Sequence, residues 1–241
     1  MIFSVNNIWF YQGTVQDAKP HSHFAIQLIF SLQNSITVRF GKNVITTKSI
    51  LIKSNIPHYL AFESEIFSIL VNPISTFGYY LLETLGTKDW IEFNPDWVNE
   101  LQLLFNNFIK KEISDNDFFL TTGNIFSRVQ KEYKINLNFH DDRIVRVVSY
   151  LEEHSQEIVP LEEISRLFKL SESRFLHLFK ENTGITYRRF QLWNKLMLAG
   201  KHILSGMNLT TAAHEAGFAD SAHLSRTFKE TFGALPKNII A

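Results

Sequence analysis

The sequence AGFADSAHLSRTFKETFG at residues 216–233 decides the fold of the last third of this chain. It nearly repeats residues 167–184, LFKLSESRFLHLFKENTG, at an offset of 49 residues (228 against 179). Both copies contain Phe-Lys-Glu followed by a glycine, which is Gly184 in the first copy and Gly233 in the second. An internal repeat of this kind predicts that one supersecondary unit occurs twice.

Each copy contains a helix with a capped start. Ser171 and Asp220 hold matching positions, and both residue types accept hydrogen bonds from the free N–H groups of a first helical turn. Shorter helices are predicted before them, at 161–168 and 209–216, and Gly217 suits the positive φ of a helix C-terminus. Helix, three- or four-residue turn, helix is the arrangement whose second helix enters a DNA major groove.

Helical periodicity divides the second helix of each copy into an inward and an outward face. The stripes predicted to pack inward are Phe175, Leu178 and Phe179 in the first copy and Leu224, Thr227 and Phe228 in the second. The predicted DNA-binding residues are Ser173, Arg174, His177 and Lys180 in the first copy and Ser221, Ala222, Ser225, Arg226 and Lys229 in the second. Arg226 is the preferred candidate for a base contact, and Lys229 for a phosphate contact. Ala222 is small enough to let the helix lie deep in the groove.

An uninterrupted helix is predicted from about Thr186 to Leu204, between the two units. Nineteen residues span roughly 28 Å at 1.5 Å each. A rigid spacer of this length suits two recognition helices about one DNA turn apart, near 34 Å. The alternative is an ordinary helical domain without DNA, which could also have kept the helices as a protein-interaction module.

Charge is segregated along the chain although 24 Lys+Arg balance 24 Asp+Glu overall. A zero net charge taken alone argues against nucleic-acid binding. Between Arg166 and Lys201, however, eight basic residues face two acidic ones, a local charge of +6. The positive segment therefore coincides with the repeated helical units, although a solvated helical face would also produce it.

The stretch from Ala216 to Lys229, with Gly233 and Pro236 after it, resembles the signature of AraC/XylS-type transcription regulators. The resemblance covers about residues 141–241. It implies a DNA-binding domain of about seven helices with two helix-turn-helix units, promoter binding, and activation through contact with RNA polymerase. The sequence departs from the family pattern at Ser165, Leu176, Tyr187, Lys195 and Ile239-Ile240.

The first part of the chain has a different pattern. Residues 1 to about 75 contain short β-branched and aromatic segments, such as 25–31, 36–40 and 49–52, with turns predicted at Gln33-Asn34 and Gly41-Lys42-Asn43, which together predict a sandwich or barrel. Asn94 is predicted as the N-cap of a helix with Pro95 at its first position, and another helix is predicted from about Asp117 to Tyr133. The predicted fold class is α+β, with a β-rich, cupin-like (jelly-roll type) domain and flanking helices followed by an all-α domain. The expected boundaries are 1–135 for the first domain, 136–140 for a linker and 141–241 for the second domain.

His21, His23 and His58 lie in the strand-rich part, at a spacing that weakly resembles a cupin-like sensor domain. In metal cupins, histidines and a carboxylate converge on a divalent metal. Gln27 stands near the expected carboxylate position, so no metal and no cofactor are predicted. The histidines are instead candidates for the lining of an effector pocket, or simply satisfied or surface residues.

Two further alternatives concern the apolar residues of the first domain. The aromatic residues Phe24, Phe30, Phe40, Tyr59, Phe62 and Phe67 predict either a hydrophobic ligand pocket or plain core. The amphipathic stretch 97–109 predicts either a homodimer interface or packing against its own sheet.

The rival class is a cupin-type metal-dependent enzyme with an accessory helical domain, but the sequence lacks a full metal set and any recognisable catalytic motif. The chain has no cysteine, which fits a cytoplasmic protein, and no membrane segment is predicted. The expected partners are therefore double-stranded DNA, RNA polymerase, a small-molecule effector and a second copy of the chain.

Overall fold

The computed structural model describes residues 2–5, 8–13, 20–31, 35–61, 66–133, 139–155, 157–232 and 236. The chain divides into two compact units, Met1–Ile135 and Asn136–Ala241. Most of the expected linker lies outside the described residues, as do Gln33-Asn34, Phe62, Gly233 and Ile239-Ile240. The expected α+β class, a β-rich part followed by a helical part, is confirmed.

The first unit is built on two antiparallel sheets. The nine strands are β1 (Ile2–Val5), β2 (Ile8–Gly13), β3 (Ile26–Ser31), β4 (Ile36–Phe40), β5 (Asn43–Thr47), β6 (Ser49–Ile52), β7 (Tyr59–Ala61), β8 (Ile66–Val71) and β9 (Trp90–Glu92). Six strands form one sheet in the order β1-β2-β8-β3-β6-β9, and three form the other in the order β5-β4-β7. The sandwich expected from the short strands is therefore present among the described residues.

Strand β3 shows why apolar residues occupy four of its six positions. Neighbouring side chains of a strand point to opposite faces, and every residue of β3 is buried. Ile26, Leu28 and Phe30 pack in the larger core between the six-stranded sheet and the helices. Ile29 packs in a second core with Ile36, Val38 and Leu60 of the smaller sheet.

Three helices cover the outer face of the six-stranded sheet. They are α1 (Thr76–Leu85), α2 (Asp96–Ile109) and α3 (Asp115–Glu132). The stripe of α2, including Leu101 and Phe105, is buried in the core of this unit, so its apolar face packs against its own sheet. Phe24, Phe30 and Phe67 are likewise core residues.

Three expectations for this unit were wrong in detail. Asn94 is not the N-cap of α2: Pro95 holds that position in extended conformation, and the helix begins one residue later than predicted. Asn43 belongs to β5 and not to the turn before it. The region after residue 75 also contains a strand, β9, which pairs with the edge of the large sheet through Ile91 opposite Leu51.

The second unit is helical throughout its described residues. Its helices are α4 (Asp142–Glu153), α5 (Leu161–Leu167), α6 (Glu172–Thr183), α7 (Tyr187–Leu204), α8 (Leu209–Glu215) and α9 (Ser221–Phe232). Six of the about seven expected helices thus lie within the described part of the chain. No helix of the described residues combines the length and apolarity that crossing a bilayer requires.

Candidate functional site

The first helix-turn-helix unit consists of α5 and α6. The Oγ of Ser171 accepts a hydrogen bond from the N–H of Arg174 at 3.3 Å, so the predicted N-cap is confirmed. Lys169, in the turn between the helices, has a φ of 54°. The helix ends at Gly184, which takes a left-handed conformation with φ of 72°.

The second helix-turn-helix unit consists of α8 and α9. Asp220 Oδ1 accepts from the N–H of His223 at 2.6 Å, and this bond holds the pKa of the Asp220 carboxyl below its usual range. Gly217 has the expected positive φ of 73°. Lys195 Nζ of α7 donates to the Gly217 carbonyl at 2.8 Å, and a Cβ at position 217 would lie 3.3 Å from that nitrogen. Through this hydrogen bond Lys195 holds the turn of the second helix-turn-helix unit against α7.

The two faces of α6 and α9 are divided as predicted. All six residues of the inward stripes are buried. The predicted contact residues Ser173, Arg174, His177, Lys180, Ala222, Arg226 and Lys229 are exposed, and Ser221 and Ser225 are partly exposed. Among the described residues, neither Arg174 nor Arg226 takes part in a salt bridge. Both guanidinium groups are thus able to meet an external partner.

Helix α7 connects the two helix-turn-helix units without interruption. Its 18 residues span roughly 27 Å. One side of this helix forms the floor of an open depression of about 640 Å³. Leu176 of α6 and His223 and Thr227 of α9 are among the residues that line the depression. The recognition helices therefore border a common groove in the second unit.

The sequence alone did not identify two residues at the start of α7 as part of the candidate site. Tyr187, known only as a departure from the family pattern, is buried, and its ring packs edge-on against Phe175 and Phe179 at centroid distances of 5.0 and 5.3 Å. Its hydroxyl donates to the Val159 carbonyl at 2.8 Å, and burial raises its pKa. Arg188 is exposed and lines the depression. Its position next to a core tyrosine at a helix start was the available signal.

The three histidines of the first unit are brought together. His21 and His58 form an antiparallel bridge, with backbone N–H to carbonyl distances of 3.0 and 2.9 Å in the two directions. One ring nitrogen from each of His21, His23 and His58 lies within 4.8 Å of the other two. Within the described residues this cluster contains no carboxylate. The geometry therefore brings the three histidines together, and their role as the lining of an effector pocket stays a prediction.

Hydrogen bonds fix the orientation of two of these rings. His58 Nδ1 lies 2.8 Å from the Ile56 carbonyl oxygen, and His23 Nδ1 lies 3.0 Å from that of Ala25. His23 Nε2 faces Gln27 Oε1 at 3.0 Å. Burial lowers the pKa of His23, and burial together with the neighbouring rings lowers that of His58 to about 3. Both imidazoles are therefore neutral at physiological pH.

Comparison with known proteins concerns mainly the second unit. The family model described as "Helix-turn-helix domain" matches residues 164–240. The HTH-type transcriptional activator RhaS of Escherichia fergusonii is 36% identical over 102 residues, which are 41% of this chain and 36% of the relative. RhaS of an Enterobacter species is 31% identical over 106 residues, 43% of this chain and 37% of the relative. Residues 164–240 of the second unit are therefore similar to helix-turn-helix domains.

The chain spans little more than a third of the length of these relatives. Solved structures extend the likeness in fold. ToxT from Vibrio cholerae superimposes with a TM-score of 0.55 at 16% identity, covering 97% of both chains. ToxT with a bound unsaturated fatty acid gives a TM-score of 0.53 at 15% identity over 97% of this chain and 94% of that one. These matches show a likeness in fold over nearly the whole chain.

Proposed function

We propose that this protein is a sequence-specific DNA-binding transcription regulator, acting as an activator, that places α6 and α9 in successive major grooves. The observation that supports this most directly is the presence of two helix-turn-helix units on one continuous helix, each with a buried apolar stripe and an exposed polar face. A spacing of roughly 27 Å along α7 is compatible with reading heads about one DNA turn apart.

Each exposed face has an assigned role in this proposal. Arg226 donates to a guanine edge, where a bidentate pair fits the guanidinium, and Lys229 binds a phosphate. Arg174 is the main candidate on α6, where Leu176 is 39% exposed and occupies a position that could meet only an apolar group such as a thymine methyl. The supporting contacts are assigned to Ser173, His177 and Lys180 on α6 and to Ser221, Ala222 and Ser225 on α9.

The depression along α7 adds a backbone contact to this scheme. DNA that meets both recognition helices must pass over the groove between them. Arg188 is exposed there, and a cation facing the duplex between two grooves neutralises a phosphate. Lys195 is engaged with the Gly217 carbonyl, so Arg188 is the α7 side chain that we assign to this contact.

The first unit is proposed to sense a small molecule and to join a second copy of the chain. ToxT, whose fold is similar, has been solved with an unsaturated fatty acid. The histidine cluster of His21, His23 and His58 is the candidate lining of the effector site. A promoter-binding protein works where the DNA and RNA polymerase are, so we assign the chain to the cytoplasm and polymerase to its partners.

Selection of bound sequences from a random pool of duplex DNA tests the main proposal. The full chain should return a motif with two half-sites separated by about one helical turn. Binding should weaken steeply with salt, because phosphate contacts release counterions. Recovery of no motif, or of a motif confined to a single half-site, would contradict the two-headed reading.

Substitution separates the roles of the two cations on α9. Arg226→Ala should cost roughly 1–3 kcal/mol on the selected site and relax the preference at one base position. Lys229→Ala should weaken binding to all sequences about equally and reduce the salt slope by about 1. Arg39, exposed on β4 of the first unit, provides a matched control. The base-reading role is wrong if Arg226→Ala behaves like Arg39→Ala.

A further inference from the structure

The histidine cluster has a hydrogen-bonding arrangement that protein groups alone do not satisfy. His58 Nδ1 must donate to the Ile56 carbonyl, since a carbonyl oxygen only accepts. In a neutral imidazole the other nitrogen, Nε2, then carries a lone pair. His58 Nε2 is buried and has no hydrogen-bond partner. A buried acceptor without a hydrogen-bond partner destabilises the fold by about 1–3 kcal/mol. Binding of a cation or of a hydrogen-bond donor at His58 Nε2 would remove this penalty.

His23 shows a second conflict at the same place. Its Nδ1 faces the Ala25 carbonyl and its Nε2 faces Gln27 Oε1, two acceptors for a ring that has one hydrogen when neutral. The His23 side chain is buried, with 4% of its surface exposed. The Gln27 amide nitrogen donates to Ser68 Oγ at 2.8 Å, and Gln27 Oε1 faces the His23 ring. With its hydrogen on Nδ1, donating to the Ala25 carbonyl, His23 directs the lone pair of Nε2 toward Gln27 Oε1.

We infer that His21, His23 and His58 form a binding site for a divalent transition-metal ion, with Gln27 Oε1 as a fourth ligand. An ion would accept the lone pair of His58 Nε2 and would lie between the two facing acceptors of His23 and Gln27. The Nδ1–H groups of His23 and His58 would keep donating to backbone carbonyls, which is the usual arrangement around metal-bound histidines.

The dimensions of the cluster fit this assignment after a small adjustment. Nitrogen ligands about 2.1 Å from a tetrahedral metal lie about 3.4 Å apart. The three ring nitrogens lie within 4.8 Å of one another, so ring movements on the order of 1 Å would bring them onto one ion. The backbone bridge between His21 and His58 already fixes two ligands in register.

The donor set decides which ions would bind. Three imidazoles and an amide favour zinc, nickel, cobalt or iron over magnesium and calcium, which require oxygen ligands. Gln27 adds no negative charge where metal cupins have a carboxylate, which is why the sequence argued against a metal. The geometry points to a site whose ion keeps its full charge and is removed by a chelator. This inference concerns the first unit and does not depend on DNA binding.

Metal titration of the full chain tests the inference. After treatment with a chelator, the protein should bind one Zn²⁺ by calorimetry, and Co²⁺ should develop the intense visible bands of a tetrahedral nitrogen site. His58→Ala should weaken Zn²⁺ binding by at least about 100-fold. His214→Ala, which alters an exposed histidine on α8, should leave it unchanged. Stoichiometry near zero, or equal affinity in both variants, would overturn the inference.

A gain-of-affinity variant keeps the test decisive if His58→Ala fails to fold. Gln27→Glu supplies the missing carboxylate and should tighten Zn²⁺ binding by at least about 10-fold, because the charge offsets that of the ion. Unchanged affinity in this variant would mean that position 27 is not a ligand. DNA selection with the metal-free protein reports on the proposed function separately, since that proposal assigns no role to the ion.

Discussion

Replacement of Ser165 by alanine should stabilise the second unit. Ser165 lies in α5 with 2% of its surface exposed, and its Oγ is buried without a hydrogen-bond partner. The hydroxyl gave up its hydrogen bonds with water on folding and gained no protein partner in return. Removing it therefore removes a penalty, whereas removing a satisfied hydroxyl would remove a bond.

The magnitude follows from three contributions. An unsatisfied buried polar group costs about 1–3 kcal/mol. Alanine is the better helix former, by up to about 0.5 kcal/mol. Against these stands the lost packing of one oxygen atom, at about 0.1–0.2 kcal/mol for each contact. We expect a net increase of about 1–2 kcal/mol in the free energy of unfolding of the second unit.

Hydrogen exchange of the backbone amides in α5 and α6 measures this change without interference from the first unit. Ser149→Ala is the matched control, because Ser149 is exposed in α4 and its Oγ already donates to the Val145 carbonyl. It shares the gain in helix propensity but removes no buried unsatisfied group. If Ser165→Ala raised protection no more than Ser149→Ala did, the reasoning about the buried hydroxyl would be refuted.

Three other substitutions probe close packing and a buried hydrogen bond elsewhere in the fold. Gly78→Ala should destabilise the first unit by several kcal/mol, about as much as a severe overpacking change, because its Cβ would lie 2.0 Å from the Asn72 carbonyl oxygen. Gly86→Ala should cost only about 1–2 kcal/mol, because the Cβ at that position meets open space and its φ is 56°. Urea unfolding of both variants checks the difference, and equal losses would contradict it. Tyr187→Phe should cost about 1 kcal/mol at neutral pH through the lost bond to Val159. Burial raises the pKa of Tyr187 in the folded state, so its contribution to the free energy of unfolding is full below pH 10 and falls as the pH rises above that value. The difference in stability between wild type and Tyr187→Phe should therefore shrink in alkaline unfolding experiments. A difference that stays constant with pH would contradict this prediction.

The helices of the second unit could be predicted from sequence because their signals are local. A cap such as Ser171 acts on the turn next to it, and the stripe of Phe175 and Phe179 follows from helix geometry alone. Both the start of α6 and the face it buries were therefore predictable. The start of α2 was placed one residue early because Asn94-Pro95 fits two cap registers, and the sequence does not decide between them.

The missed elements depend on contacts between distant parts of the chain. Strand β9 has three residues and is defined by pairing with β6, 40 positions earlier (Ile91 opposite Leu51), so no local pattern marks it. The histidine cluster is similar. His23 and His58 meet because the sheet returns the chain to the same place, and the orientation of each ring is set by carbonyls of Ala25 and Ile56. Composition and spacing indicated the residues but not these bonds.

The two helix-turn-helix units bury similar side chains and expose different ones. Five of the six inward positions are aromatic or aliphatic and the sixth is Thr227, since either helix must pack against its own short helix and α7. On the outside, α9 presents Arg226 one turn after the small Ala222, whereas α6 has His177 one turn after Ser173 and also exposes Leu176. An arginine next to a small residue can approach a base edge closely, but a leucine must be accommodated against an apolar group. A shared fold of the two copies therefore does not require equal contributions to the proposed sequence reading, and we expect α9 to contribute the greater share.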